Sequence, residues 1–151
     1  RRFTSRSTDL PMVIAINVRT ILSVFRDAKV LFYSTVGWGD AEAVQLAEIL
    51  PLCSQVTDLW VTNNNVGDEG IAAIARWIGT SKTIQSVLLY NNPWGDRGAD
   101  ALCEGLRANT ALNGGTPSVM SMRLYGTQVS SQAKKRLAKT FRECGTEQDL
   151  R

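Results

Sequence analysis

The chain has 151 residues, 17 Lys and Arg against 14 Asp and Glu, no His, and 44% apolar residues. This is the length of one domain and an ordinary globular composition, which argues against disorder, and no run of about 20 apolar residues is present to span a membrane as a helix. Three Arg and one Asp give residues 1–10 a charge of +2, six basic and three acidic residues give 130–151 +3, and eight basic and ten acidic residues between them give −2, so the broad basic surface of a nucleic-acid binder is missing.

Residues 1–8 are polar, and Arg1, Arg2, Ser5, Arg6 and Ser7 precede the first acid, Asp9. Such a stretch suits the tail of a mitochondrial or plastid transit peptide, and truncation of a longer protein accounts for it equally well. Thr8 or Asp9 offers an N-cap and Pro11 a first turn. Ile14, Val18, Ile21, Leu22 and Phe25 then recur at helical spacing to about Arg26. Residues 1–27 therefore read as a polar arm and a capping helix that covers one end of the domain.

From Ala28 to Leu50 the pattern changes partway along, from alternation (Leu31, Tyr33) to helical spacing (Ala43, Leu46, Ala47, Leu50). The same change returns 28 residues later in Val56–Ile78 and again in Ile84–Leu106. Leu59 falls on Val87, Asn64 on Asn92, Gly67-Asp68 on Gly95-Asp96, Ile74 on Leu102 and Ile78 on Leu106, while Trp38-Gly39-Asp40 meets Trp94-Gly95-Asp96. A fourth copy, Ser121–Phe141, is displaced by seven residues, which the Gly- and Pro-containing segment near 113–119 supplies as an inserted loop. Leu137, Ala138 and Phe141 keep the inward stripe there, and Lys134, Lys135, Arg136, Lys139 and Arg142 face outward. Residues 146–151 are expected to form a tail. One strand, turn and helix cannot bury its own apolar face, so the copies must stack.

The pattern LxxLxLxxN, an apolar-Gly-Asp turn and a helix resembles the leucine-rich repeats of the ribonuclease-inhibitor-like type. The resemblance covers residues 28–145. It implies an α/β right-handed solenoid of about four units, with a parallel sheet on the concave side and helices on the convex side. It also implies an Asn that bonds the backbone of its own turn, so Val36, which stands in that slot, leaves its turn to be satisfied otherwise. Finally, it implies that other proteins are bound.

Chemistry has little to work with. Without His there is no Ser–His or Cys–His pair, no phosphate-binding Gly-rich loop is present, and Asp40, Asp68 and Asp96 stand one per unit, where a cap on the helix each begins explains them better than a metal. No enzyme, cofactor or metal is expected. Cys53, Cys103 and Cys144 are odd in number and widely spaced, with Cys103 in the slot held by Ala47, Ala75 and Ala138, which points to buried thiols in a reducing, intracellular compartment. Alternation along the strands turns Phe32, Trp60, Leu88 and Arg123 outward as one column, with Ser34, Thr62, Tyr90 and Tyr125 as the next. Trp38 and Trp94 fill the turn slot shared with Val66 and Val129 and belong to the core. The expected binding site is therefore Phe32, Trp60, Thr62, Leu88, Tyr90, Arg123 and Tyr125, gripping a protein within a larger assembly. Two rivals are a regulator resembling leucine-rich-repeat GTPase activators, and an anion or nucleic-acid binder using the basic last helix.

Overall fold

The computed structural model describes residues 23–149. The expected polar arm and most of the expected capping helix lie outside them; residues 23–27 are helical, and Phe25 packs against the core. The architecture is α/β. Five three-residue strands, β1 (Val30–Phe32), β2 (Asp58–Trp60), β3 (Ser86–Leu88), β4 (Ser121–Arg123) and β5 (Glu147–Asp149), form one sheet in chain order, every neighbour pair parallel. Between them run α1 (Asp40–Ile49), α2 (Asp68–Thr80), α3 (Asp96–Leu112) and α4 (Ser131–Cys144), consecutive helices packing on one another. Leu31, Leu59, Val87 and Met122 stand in register and are buried, in one core with Leu46, Ile74, Leu102 and Leu137 from the helices. The 28-residue spacing and the inserted seven thus set the register of the first four strands.

The C-terminal segment corrects the expectation of a tail. Glu147–Asp149 pairs parallel with β4, because β4 would otherwise present its edge unpaired. Thr146 starts the strand: its backbone N–H donates to Phe141 O (3.0 Å) and its hydroxyl to Val119 O (3.0 Å).

Polar ladders tie each unit to the next. The Asn slot does not serve only its own turn: Asn64 Oδ1 accepts from the N–H groups of Val36 and Trp38 (both 3.1 Å), one unit earlier, and its Nδ2 donates to Tyr33 O (2.7 Å) and Thr62 O (3.1 Å). Asn92 repeats this on the buried Val66 N–H (3.1 Å) and Val61 O (2.7 Å). Val36 therefore needs no Asn of its own for its turn. The aspartates also cap, but not the helices they begin. Gly39, Gly67 and Gly95 hold the N-cap positions and have no side chain to offer. Asp40 Oδ1 instead accepts from Gly67 N (2.7 Å) and Gly70 N (2.9 Å), and Asp68 Oδ1 from Gly95 N (2.7 Å) and Gly98 N (2.9 Å), so each carboxylate sits at the positive end of the following helix.

Asp96 closes this series on Ser130, accepting from its backbone N–H and its hydroxyl (both 2.7 Å). These two bonds, with Arg136 nearby, hold the Asp96 carboxyl below the usual carboxylate range. A depressed folded-state value means that the contribution is fully present above the unfolded value of about 3.9 and is lost as pH falls through the folded one. Acid titration of Tm is therefore expected to be shallower for Asp96→Asn than for the wild type, with the difference confined to the region below about pH 4.

A second slot escaped sequence reasoning. Thr35, Asn63, Asn91 and Gly126 all adopt positive φ (60°, 54°, 55° and 65°) at equivalent points after the strands. Asn and Gly tolerate this conformation, whereas a β-branched residue is strained there. Thr35→Asn is expected to raise stability by about 1 kcal/mol, read as a shifted denaturation midpoint with an unchanged slope.

Candidate protein-binding face

Side chains alternate across each strand, so burying Leu31, Leu59, Val87 and Met122 against the helices turns their neighbours to the opposite face of the sheet. The register sets Phe32 beside Trp60, Trp60 beside Leu88 and Leu88 beside Arg123. Phe32 is 60% exposed and its ring lies 5.3 Å from that of Trp60, tilted by 51°. In the next column Tyr90 and Tyr125 stack 4.5 Å apart and within 11° of parallel. Desolvation, with Tyr90 and Asp149 adding to it, pushes the Tyr125 hydroxyl up. Stacked tyrosines beside an aromatic strip present both apolar rings and polar hydroxyls.

The seven expected site residues do share this face, but not equally. Phe32 and Arg123 are exposed, while Trp60, Tyr90 and Tyr125 are half-buried. Thr62 and Leu88 depart from the expectation of open contact residues: they are 2% and 7% exposed. Leu88 is shorter than the Trp60 and Arg123 that flank it on β2 and β4, and is overshadowed. Thr62 is consumed locally, its hydroxyl donating to Ser34 Oγ (2.8 Å) and accepting from Asn63 Nδ2 (3.3 Å). Among the described residues, Trp60 Nε1 is a buried side-chain donor without an acceptor, a costly state.

Other features noted in the sequence turn out to be structural. Trp94 is fully buried, and Trp38, at the first unit, is half-buried and stacked 4.4 Å from Tyr33. Cys53, Cys103 and Cys144 are free and buried, and desolvation raises the Cys53 and Cys103 thiols. On α4, Arg136 is engaged with Asp100 (2.9 Å) and Lys139 with Glu143 (3.7 Å), which reduces the charge that helix offers to an anion. Among the described residues no group of three or more His, Cys, Asp or Glu could hold a metal, and no helix is long and apolar enough to cross a membrane. Asn109, not singled out in the sequence, is fully buried and donates to Ile78 O and Ser81 O (both 2.8 Å) while accepting from Ser118 N (2.8 Å). An Asn ahead of an insertion is its one signal.

No protein-family model matches the chain, and no curated protein matches it. Among solved structures it is similar to one described as "Leiomodin-1 Actin-Binding Site 2 (ABS2)", with a TM-score of 0.72 and 16% identity over 92% of this chain and 79% of that one. At that identity the likeness is one of fold.

Proposed function

We propose that the chain is a leucine-rich-repeat solenoid of the ribonuclease-inhibitor-like type acting as a non-catalytic binding module, an accessory subunit of a larger protein assembly. Its open sheet face grips the partner. The observation that carries this reading is the strip of Phe32, Trp60, Tyr90, Tyr125 and Arg123 on the sheet face opposite the described helices, residue types that dominate the energy of protein interfaces. The 28-residue register and the dependence of the first two turns and of the starts of α2, α3 and α4 on a neighbouring unit support the repeat assignment.

Affinity purification from the native source, with the wild type beside Trp60→Ala/Tyr90→Ala, tests the face. Each truncation is expected to weaken binding by about 2 kcal/mol or more, so the double variant should lose its principal partner while keeping the wild-type circular dichroism. A variant that keeps every partner overturns the assignment. Stimulated GTP hydrolysis by the chain alone would favour a GTPase regulator instead, and affinity falling steeply with salt would favour an anion binder. A second reading, binding of actin, is favoured by the likeness to a structure described as an actin-binding site. Co-sedimentation with filamentous actin and titration of monomeric actin decide it.

A further inference from the structure

We infer that Asn113 is a site of spontaneous chemical modification, and that its conversion to aspartate or isoaspartate releases the inserted loop after α3. Asn113 is the one Asn in the chain followed by Gly, and a second glycine, Gly115, comes next. Both glycines have positive φ (71° and 96°), and beyond the adjoining residues no atom lies within 4 Å of where a Cβ would stand on either. Without a Cβ on Gly114 nothing shields its nitrogen as it turns onto the side-chain carbonyl before it, even with the Gly115 N–H anchored on Thr110 O (2.8 Å). That nitrogen is loosely held, donating to Ala111 O at 3.3 Å, and Asn113 is the C-cap of α3, where helices fray.

The reaction needs only water. The Gly114 amide nitrogen loses its proton to solvent and attacks Asn113 Cγ; the N–Cγ bond forms, the Cγ–Nδ2 bond breaks, and Nδ2 takes a proton and leaves as ammonia. Water then opens the five-membered ring at either carbonyl, giving aspartate or isoaspartate, with no change of oxidation state. The other asparagines of the described residues are worse placed. Asn92 precedes Pro93, which has no N–H to attack with. Asn63, Asn64, Asn65, Asn91 and Asn109 precede residues that carry a Cβ, and Asn64 and Asn109 are also held through both side-chain atoms.

The structural effect of conversion depends on the contacts of Asn113. Its Nδ2 donates to Asn109 O (2.8 Å) and lies 3.4 Å from Asn109 Oδ1. After conversion a carboxylate oxygen replaces that donor and faces two acceptors, which repel it. Asn109 Oδ1 is the atom that holds Ser118, through its N–H (2.8 Å) and its hydroxyl (3.1 Å). Loss of the Asn113 anchor therefore loosens the loop from its start, and the extra main-chain carbon of isoaspartate lengthens it.

The full chain, incubated in mildly alkaline buffer, is sampled over days by peptide mapping with fragmentation that distinguishes isoaspartate. The expected result is that Asn113 converts before any other Asn, that Gly114→Ala slows it several-fold, and that Asn113→Gln abolishes conversion at that position. Another Asn converting first, or Asn113 converting equally fast in Gly114→Ala, overturns the assignment. Should Gly114→Ala fold poorly at its positive φ, Asn113→Gln, whose backbone is ordinary, still supplies the comparison. Hydrogen exchange of the Ser118 amide tests the loosening: it should be faster in fresh Asn113→Asp than in the wild type, and equal rates overturn the loop release.

Discussion

Asn92→Leu is expected to cost about 4 kcal/mol of stability, whereas Asn64→Leu in the same slot should cost about 1 kcal/mol. The two side chains make similar bonds to the preceding unit, so the difference lies in the groups left unpaired. Removing Asn92 strands the buried Val66 N–H and Val61 carbonyl and leaves the Leu89 carbonyl only the long bond from Trp94 Nε1 (3.4 Å). Asn92 itself is 2% exposed, so Leu fits the volume but not the polar walls. At Asn64 the Val36 N–H is exposed, and the Trp38 N–H and the Tyr33 and Thr62 carbonyls are only partly buried, so water substitutes. Urea denaturation followed by circular dichroism reads both values; equal losses would mean that burial does not set the worth of this ladder. Because Asn92 joins the second unit to the third, its loss should also broaden the transition, as expected where stability is a sum over neighbouring repeats.

The parts legible in the sequence are those set by period. Leu31, Leu59, Val87 and Met122 fall on the buried face and in register because strand alternation and a fixed repeat leave one arrangement, and even the seven-residue shift into β4 can be counted. Sequence does not show which neighbour a polar side chain serves. Asp40 begins a helix and a local reading makes it that helix's cap, yet its oxygen lies against Gly67 and Gly70, because only stacking brings the next helix start within reach. The site shows the same limit. Alternation gives the face of Thr62 and Leu88 correctly, but exposure depends on how tall the flanking Trp60, Tyr90 and Arg123 stand and on whether Ser34 claims the Thr62 hydroxyl. The last strand carries no signal: Glu147, Gln148 and Asp149 are poor strand formers, and they pair because β4 offers an edge. Asn63 and Asn91 match at the 28-residue spacing, but Thr35 and Gly126 differ from them and from each other, so residue type alone does not reveal that all four share one backbone conformation.

Gly105→Ala should destabilise the chain by about 3 kcal/mol, reversing the gain of about 1 kcal/mol that Gly to Ala brings in an ordinary helix interior. A Cβ at Gly105 would press on the carbonyl of Ala75 in α2, with the Ala75 carbonyl carbon at 3.0 Å and its Cα at 3.4 Å. Backbone cannot swing aside as a side chain does, so α2 and α3 must separate. That movement opens the layer formed by Ile71, Ile74, Ile78, Leu102 and Leu106, each no more than 1% exposed. Gly79, across the same contact, is the internal comparison. Its Cβ would meet the Ala108 methyl at 3.1 Å and the Gly105 carbonyl at 3.4 Å, a crowding that a few tenths of an ångström relieves, so Gly79→Ala should fall within about 1 kcal/mol of the wild type. Thermal denaturation of the two variants separates close approach of helices from helix propensity: if both gain stability, the contact between α2 and α3 is looser than these distances require. The open sheet face lies on the other side of the core, so Gly105→Ala, where still folded, should bind the partner with wild-type affinity while Trp60→Ala does not.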